Sequence, residues 1–196
     1  AAAPAGLAGP SDGPPADAMP LDEDAVPTGE EPAATPAPGV PRGTVLGVHC
    51  VQSHFNDPAA VYCAVCGAAM SQSAGPPVPG ERPSLGALVL DDATTLTLDR
   101  DHVLGRVPGA DAAVTGGGAR PVELTGDLVS RVHARIVLEG WEVHVEDAGS
   151  TNGTFVWGPG ATSWTRLPAG GRAPLPPGSV AAFGSRMLRF HSFRTR

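Results

Sequence analysis

From Leu85 onward, apolar residues come in short runs broken by Gly, Pro, Asn or Asp. The runs predict strands over 87–90, 94–98, 102–106, 121–124, 134–138, 141–146, 154–157, 172–175, 179–183 and 187–191. Within one of them, Trp141, Val143 and Val145 alternate with Glu142, His144 and Glu146, the period of a strand with one buried face. No stretch sustains a helical period. Many short strands in so compact a segment predict an all-β, antiparallel β-sandwich that carries its function on the loops at one end.

The pattern is different upstream. Residues 1–43 are dominated by Ala and Pro, with few aliphatic side chains, and cannot bury enough apolar surface to offset the entropy of ordering. They read as a disordered acidic linker, whose prolines could also be offered to a partner. A second break covers 71–83, punctuated by Gly75-Pro76-Pro77-Val78-Pro79-Gly80. Between the two lies a compact Cys/His segment, 44–70, and after them one globular domain, 84–196. The chain starts at Ala1 rather than Met, as expected of a fragment or a processed product.

Charge sharpens this division. Residues 1–48 hold seven acids against one Arg, 49–80 a single Asp, and 81–196 twelve acids against twelve Arg, within a total of −7. Every basic residue is Arg, a composition typical of GC-rich coding, although a forked guanidinium also suits phosphate. Without a basic stripe, the chain lacks the footing that nucleic-acid binding requires. No apolar run is long enough to cross a membrane as a helix, and no basic region precedes a hydrophobic core at the start. Cys50, Cys63 and Cys66 are odd in number and clustered, which suits a metal or free thiols in a reducing compartment. A cytoplasmic location is expected.

Three short motifs carry candidate chemistry. Gly105-Arg106 ends a predicted strand, where a guanidinium can reach out from the rim beside a glycine that permits close backbone approach. Ser130-Arg131-Val132-His133 sets a hydroxyl next to a second guanidinium. On one strand Ser130 and His133 would face opposite ways, so His133 is expected to brace the loop through hydrogen bonds rather than to activate Ser130. In Ser150-Thr151-Asn152-Gly153-Thr154, Asn-Gly marks a turn that presents a hydroxyl and a carboxamide, a group able to donate and accept along a peptide backbone. Each motif alone also fits an ordinary surface Arg or hairpin.

Together, in this order, the three motifs resemble the forkhead-associated (FHA) domain over roughly residues 85–193, and 175–184 resembles the end of that family's fold. The resemblance implies a sandwich of about eleven strands that binds phosphothreonine peptides. It places Arg106 and Ser130 on the phosphate, Arg131 in support, Thr151 near the phosphothreonine and Asn152 on the peptide backbone, with Gly105, His133 and Gly153 structural. One departure is the long stretch 107–127, with Thr115-Gly116-Gly117-Gly118-Ala119, which is longer than the family's connection and could reshape or block the pocket.

Cys50-x3-His54, then Cys63-x2-Cys66-Gly67, offers four ligands at knuckle spacing. This resembles a small zinc ribbon over 47–70, with one structural Zn²⁺ per chain. His49 is the rival to His54, and a redox Cys-x-x-Cys or idle thiols are the alternatives to metal. The whole reads as a non-enzymatic adaptor that docks on threonine-phosphorylated proteins downstream of Ser/Thr kinases. Its own tail is a further candidate partner in cis, through Thr28 or Thr35. The alternatives are a phosphate-independent scaffold and nucleic-acid binding through the ribbon, which has no Arg or Lys over 44–70. There is no phosphate-cradling P-loop, nor a recognisable pair of catalytic carboxylates.

Overall fold

The computed structural model describes residues 43–72 and 75–194. Thr28 and Thr35 lie outside them. The first unit is a small three-stranded sheet, β1 (Thr44–His49), β2 (Phe55–Asn56) and β3 (Val78–Glu81), in the order β2-β1-β3. β3 falls in the Pro-rich stretch expected to be a linker. It pairs with β1 as an edge strand, Leu46 opposite Pro79, and an edge is where a residue without an N–H is tolerated.

The second unit is the sandwich, eleven strands in two sheets interrupted among the described residues by a 3-10 turn and one short helix. Along the chain these are β4 (Gly86–Leu90), β5 (Thr95–Thr97), β6 (Asp101–Gly105), β7 (Ala119–Glu123), β8 (Ala134–Glu139), β9 (Glu142–Asp147), β10 (Thr154–Trp157), β11 (Thr165–Arg166), β12 (Arg172–Pro174), β13 (Val180–Phe183) and β14 (Arg186–Ser192). One sheet runs β11-β10-β13-β14-β4-β5 and the other β12-β9-β8-β6-β7. Between them lies one core that includes Leu88, Leu104, Ile136, Val145, Phe183 and Phe190. The alternation read along 141–146 sends Val143 and Val145 inward as expected. Trp141 instead sits at the β8–β9 turn, half-buried against the edge of the core.

One pair breaks the antiparallel pattern: β6 and β7 are parallel, Asp101 opposite Ala119 and Gly105 opposite Glu123. The crossover between them is the long stretch after Val107, which forms a 3-10 turn (Pro108–Ala110) and a single-turn helix α1 (Ala112–Thr115). Asp111 caps that helix, accepting the Ala113 N–H at 2.8 Å, and its other oxygen meets the Arg135 guanidinium at 2.6 Å. Because the two strands are parallel, the insertion leaves the end that carries Arg106 and re-enters at the far end, where Arg120 pairs with Asp99 at 3.0 Å.

The two units are joined by more than the chain. The Trp141 indole N–H donates to the Leu46 carbonyl at 2.7 Å, and its ring lies 5.7 Å from that of Phe55. Arg194 packs over Trp141, bonds its carbonyl and pairs with Asp57, with both charged side chains under 10% exposed. Arg82 donates to the carbonyls of Leu138 and Gly140. All of these contacts gather at the β8–β9 turn, the end of the sandwich away from His133 and Asp147.

Candidate functional site

Gly105 closes β6 against the segment 130–133. An added Cβ there would stand 2.3 Å from the Arg131 carbonyl oxygen, so only glycine permits the contact. Past the strand, the pairing continues, with Arg106 N–H donating to Ser130 O at 3.0 Å and Val107 N–H to Arg131 O at 2.8 Å. The Arg106 side chain is fixed by its Nε, which donates to Val129 O at 2.6 Å. Its two terminal nitrogens face outward, without a partner among the described residues.

Ser130 Oγ accepts the Thr151 N–H at 3.0 Å, tying the second motif to the third and leaving the hydroxyl proton to donate elsewhere. Arg131 is exposed, and its side chain has no partner among the described residues. His133 is fully buried and braces both loops. Its Nδ1 accepts from Ser130 N–H at 3.0 Å, so Nε2 carries the proton and donates to Gly153 O at 3.2 Å. Burial pushes its pKa below the ordinary imidazole value, against the opposing pull of the Gly153 carbonyl and Asp147. The imidazole is thereby held neutral, and neither nitrogen is left to act as a base on Ser130.

The third motif is organised by Asp147, a residue whose part the sequence did not reveal. Only 1% exposed, it accepts Ser150 Oγ at 2.6 Å and Thr154 Oγ1 at 2.7 Å on one oxygen. The other oxygen takes the N–H groups of Gly149 and Ser150 at 2.9 and 3.0 Å. Burial alone would raise its pKa, but the bonds from Ser150 and Thr154 outweigh it and hold the carboxyl below the usual range. At the tip Thr151 is exposed, and Asn152 Nδ2 donates to Leu128 O at 2.8 Å, which leaves its amide oxygen free to accept. Gly153 turns back with φ +82°, its open face covered by the Arg166 guanidinium.

Three loops distant in sequence therefore meet at one rim, with two outward guanidinium groups, a hydroxyl and a carboxamide. That set can grip a tetrahedral anion together with an extended backbone. Arg166 was equally hidden, because it lies on a two-residue strand too short to show a pattern.

At the other end of the molecule Cys50, His54, Cys63 and Cys66 bring their ligand atoms within 4.8 Å of one another, a cluster that could hold a metal ion. Cys50 Sγ stands 3.5 Å from His54 Nδ1 and 3.8 Å from Cys66 Sγ, and Cys63 Sγ stands 3.7 Å from His54 Nδ1. A tetrahedron with zinc–sulfur bonds of about 2.3 Å has sulfur–sulfur edges of about 3.8 Å, which these spacings fit. His49 stays outside the cluster, exposed and packed on Phe55 at 5.3 Å. Asn56 links the two knuckles, donating to His54 O at 2.7 Å and Cys63 Sγ at 3.5 Å and accepting Ala64 N–H at 3.0 Å. Burial raises the Cys63 thiol, but the N–H groups of Cys66 and Val65 and the Asn56 amide bring it down to about 6, favouring the thiolate that a metal binds.

Residues 102–184, from β6 to the turn after β13, match the family model of the FHA domain. The match covers most of the sandwich and under half of the whole chain. The FHA domain-containing protein FhaB of Mycobacterium tuberculosis is 47% identical over 47 residues, covering 24% of this chain and 30% of FhaB. The matched stretch thus spans under a third of that relative. Among solved structures, the FHA domain of CT664 from Chlamydia trachomatis is similar at 21% identity and a TM-score of 0.43, over 56% of this chain and 98% of that one. Mycobacterium tuberculosis EmbR, in complex with a low affinity phosphopeptide, is similar at 20% identity and a TM-score of 0.44, over 57% of this chain and 25% of that one. The family model and the sandwich, rather than these distant likenesses, carry the resemblance to FHA domains.

Proposed function

We propose that the rim formed by Arg106, Ser130, Arg131, Thr151 and Asn152 binds phosphothreonine in a peptide, and that the chain is an adaptor downstream of Ser/Thr kinases. The observation that carries this is the joint fixing of Arg106 and Ser130. Arg106 is held by its Nε to Val129 O, and Ser130 Oγ by the Thr151 N–H, so both present their remaining donors outward without rearrangement. A phosphate of charge about −1.5 to −2 meets these donors, with each charge-assisted bond contributing roughly 1.5–3 kcal/mol. After ordering costs, an affinity near micromolar, about 8 kcal/mol, is expected. Asn152 holds the peptide backbone through its free amide oxygen. The resemblance to the FHA family makes threonine the bearer of the phosphate.

The test is binding of a phosphothreonine peptide library to the whole chain against the same peptides unphosphorylated. Selective binding of the phosphorylated set supports the reading, whereas equal binding would replace it with a phosphate-independent scaffold. The tail is one candidate ligand, through phosphorylated Thr28 or Thr35. Loss of self-association or of tail protection on changing both to Ala would support that route.

We further propose that Cys50, His54, Cys63 and Cys66 hold a structural Zn²⁺ in a zinc-ribbon-like module. Four protein ligands close the coordination sphere, and the ion would supply cross-linking and charge neutralisation to a segment too short for a core of its own. Metal analysis should find about one zinc per chain. Retention of zinc with both Cys63 and Cys66 replaced would disprove the ligand set.

A further inference from the structure

We infer that Arg166 forms a second anion-reading position beside the phosphothreonine site, so that the preferred ligand carries a second negative side chain close to the first. The inference rests on the phosphothreonine reading. Its starting point is the placement of one guanidinium. β11 pairs with β10 so that Arg166 stands opposite Phe155, and the Leu167 N–H donates to Thr154 O at 2.8 Å, anchoring the strand immediately beside the Asn152-Gly153 turn. The guanidinium lies over the Phe155 ring at 5.9 Å. A Cβ added to Gly153 would be 2.6 Å from its Nε and 3.1 Å from its Nη2, so the cation rests directly on the turn that carries Thr151 and Asn152.

The distribution of ion pairs makes this placement informative. Arg100, Arg120, Arg135, Arg172, Arg186 and Arg194 each pair with a carboxylate. Of the remaining described arginines, Arg82 and Arg189 spend their side chains on backbone carbonyls away from the rim, whereas Arg106, Arg131 and Arg166, also without a carboxylate partner among the described residues, stand at the rim. The acids nearest the rim are Asp147, buried and committed to its loop, and the exposed Glu123 and Asp127. Arg166 is itself exposed, fixed by stacking and by the turn, and open to an incoming anion on its outer edge. A planar, fixed guanidinium reads a carboxylate or a phosphate equally well in geometry. It stands against the Asn152-Gly153 turn, whereas Arg106 is held beside Ser130 and Val129.

The experiment is a peptide series titrated against the whole chain at low and moderate salt. The reference peptide has one phosphothreonine and neutral flanks. A first arm places a single Glu at each position within four residues of it, and a second arm places a second phosphothreonine at the same positions. The expected result is one position, or two adjacent ones, at which the second charge tightens binding about threefold to tenfold, an advantage that shrinks with salt. A gain in both arms assigns the position to acidic ligands in general; a gain in the phosphate arm alone assigns it to doubly phosphorylated ones. In Arg166→Gln the ratio between charged and reference peptides should fall to about one, and in Arg166→Lys most of it should survive. The absence of any gain above twofold in the parent chain would overturn the inference, as would a gain that persists in Arg166→Gln. If instead the reference peptide and its unphosphorylated form bind alike, the phosphothreonine reading itself has failed, a result distinct from a flat charge scan.

Discussion

At the scale of single residues, the rim divides into groups that face outward and groups that hold those groups still. Arg106 belongs to the first kind: it is exposed, and its loss removes charge without opening the core. Arg106→Ala should therefore abolish phosphopeptide binding, weakening it at least about 100-fold, as expected when roughly 3 kcal/mol of charge-assisted bonding is lost. Its thermal transition should stay within a few degrees of the parent; a collapse in stability would mark Arg106 as structural. His133 and Asp147 belong to the second kind and tie stability to pH. For His133, the depressed folded pKa means that the unfolded chain binds the proton more readily. Its contribution is complete above the unfolded value of about 6.5 and is lost as pH falls below it toward the folded value. Denaturant titrations at pH 7.5 and 5.5 should show lower stability at the acid end, with a shallower decline in His133→Asn. Buried His102 and half-buried His144 are depressed too, chiefly by burial, so the slope should be reduced rather than abolished. Asp147 acts lower on the scale, contributing above about pH 3.9 and losing its contribution as pH falls through its still lower folded value.

At the scale of elements, the crossover after Val107 is the clearest case. Seen only as sequence, its glycines and length suggested a loop able to cover the pocket. In the fold it runs along the sheet from the rim to the opposite end, capped by Asp111 and held by Arg135. Asp111→Ala should cost about 1–2 kcal/mol of stability, from the lost cap and the lost Arg135 pair, while phosphopeptide affinity stays within twofold of the parent. A large affinity change in titration would place the insertion over the site after all. The contrast shows what was legible beforehand. Strands with several alternating or continuous apolar residues, such as β8, β9 and β13, could be read to within a residue or two, because burial on one or both faces imposes the pattern. β3 and β11 could not: an edge strand of Val-Pro-Gly-Glu and a two-residue strand carry no periodicity, and their pairing is decided by partners far along the chain. The parallel pairing of β6 with β7 was equally hidden, since direction is set by the path of the crossover. The rim's motifs were visible because a turn and a close approach demand particular residues. Arg166 was not, because only its register with Phe155 brings it there.

At the scale of the whole molecule, the two candidate sites occupy opposite ends of one assembly. The loop between His54 and Cys63 carries Asp57, whose buried pairing with Arg194 joins the Cys/His cluster to the segment just after β14 and to Trp141. The small unit therefore docks through the same segment that its ligands shape. If the proposed zinc organises that segment, removing it should unfold the small unit and release Trp141 from Phe55 and the Leu46 carbonyl. A strong chelator should then change tryptophan fluorescence, as Trp141 passes from a half-buried junction to water, and lower the stability of the sandwich by the few kcal/mol that the junction contributes. Phosphopeptide affinity should persist, because the rim lies at the far end of β8 and β9 and its bracing bonds run among Ser130, His133, Asp147 and Gly153. Asp57→Asn offers a gentler version of the same test. It keeps the shape of the loop and all four ligands, so zinc content should hold at about one per chain while the junction weakens. Zinc loss in Asp57→Asn would instead show that docking on the sandwich is what holds the ligands together. Affinity that falls with chelation would show that the junction reaches the rim, making the small unit a control on the reader rather than a spacer beside it.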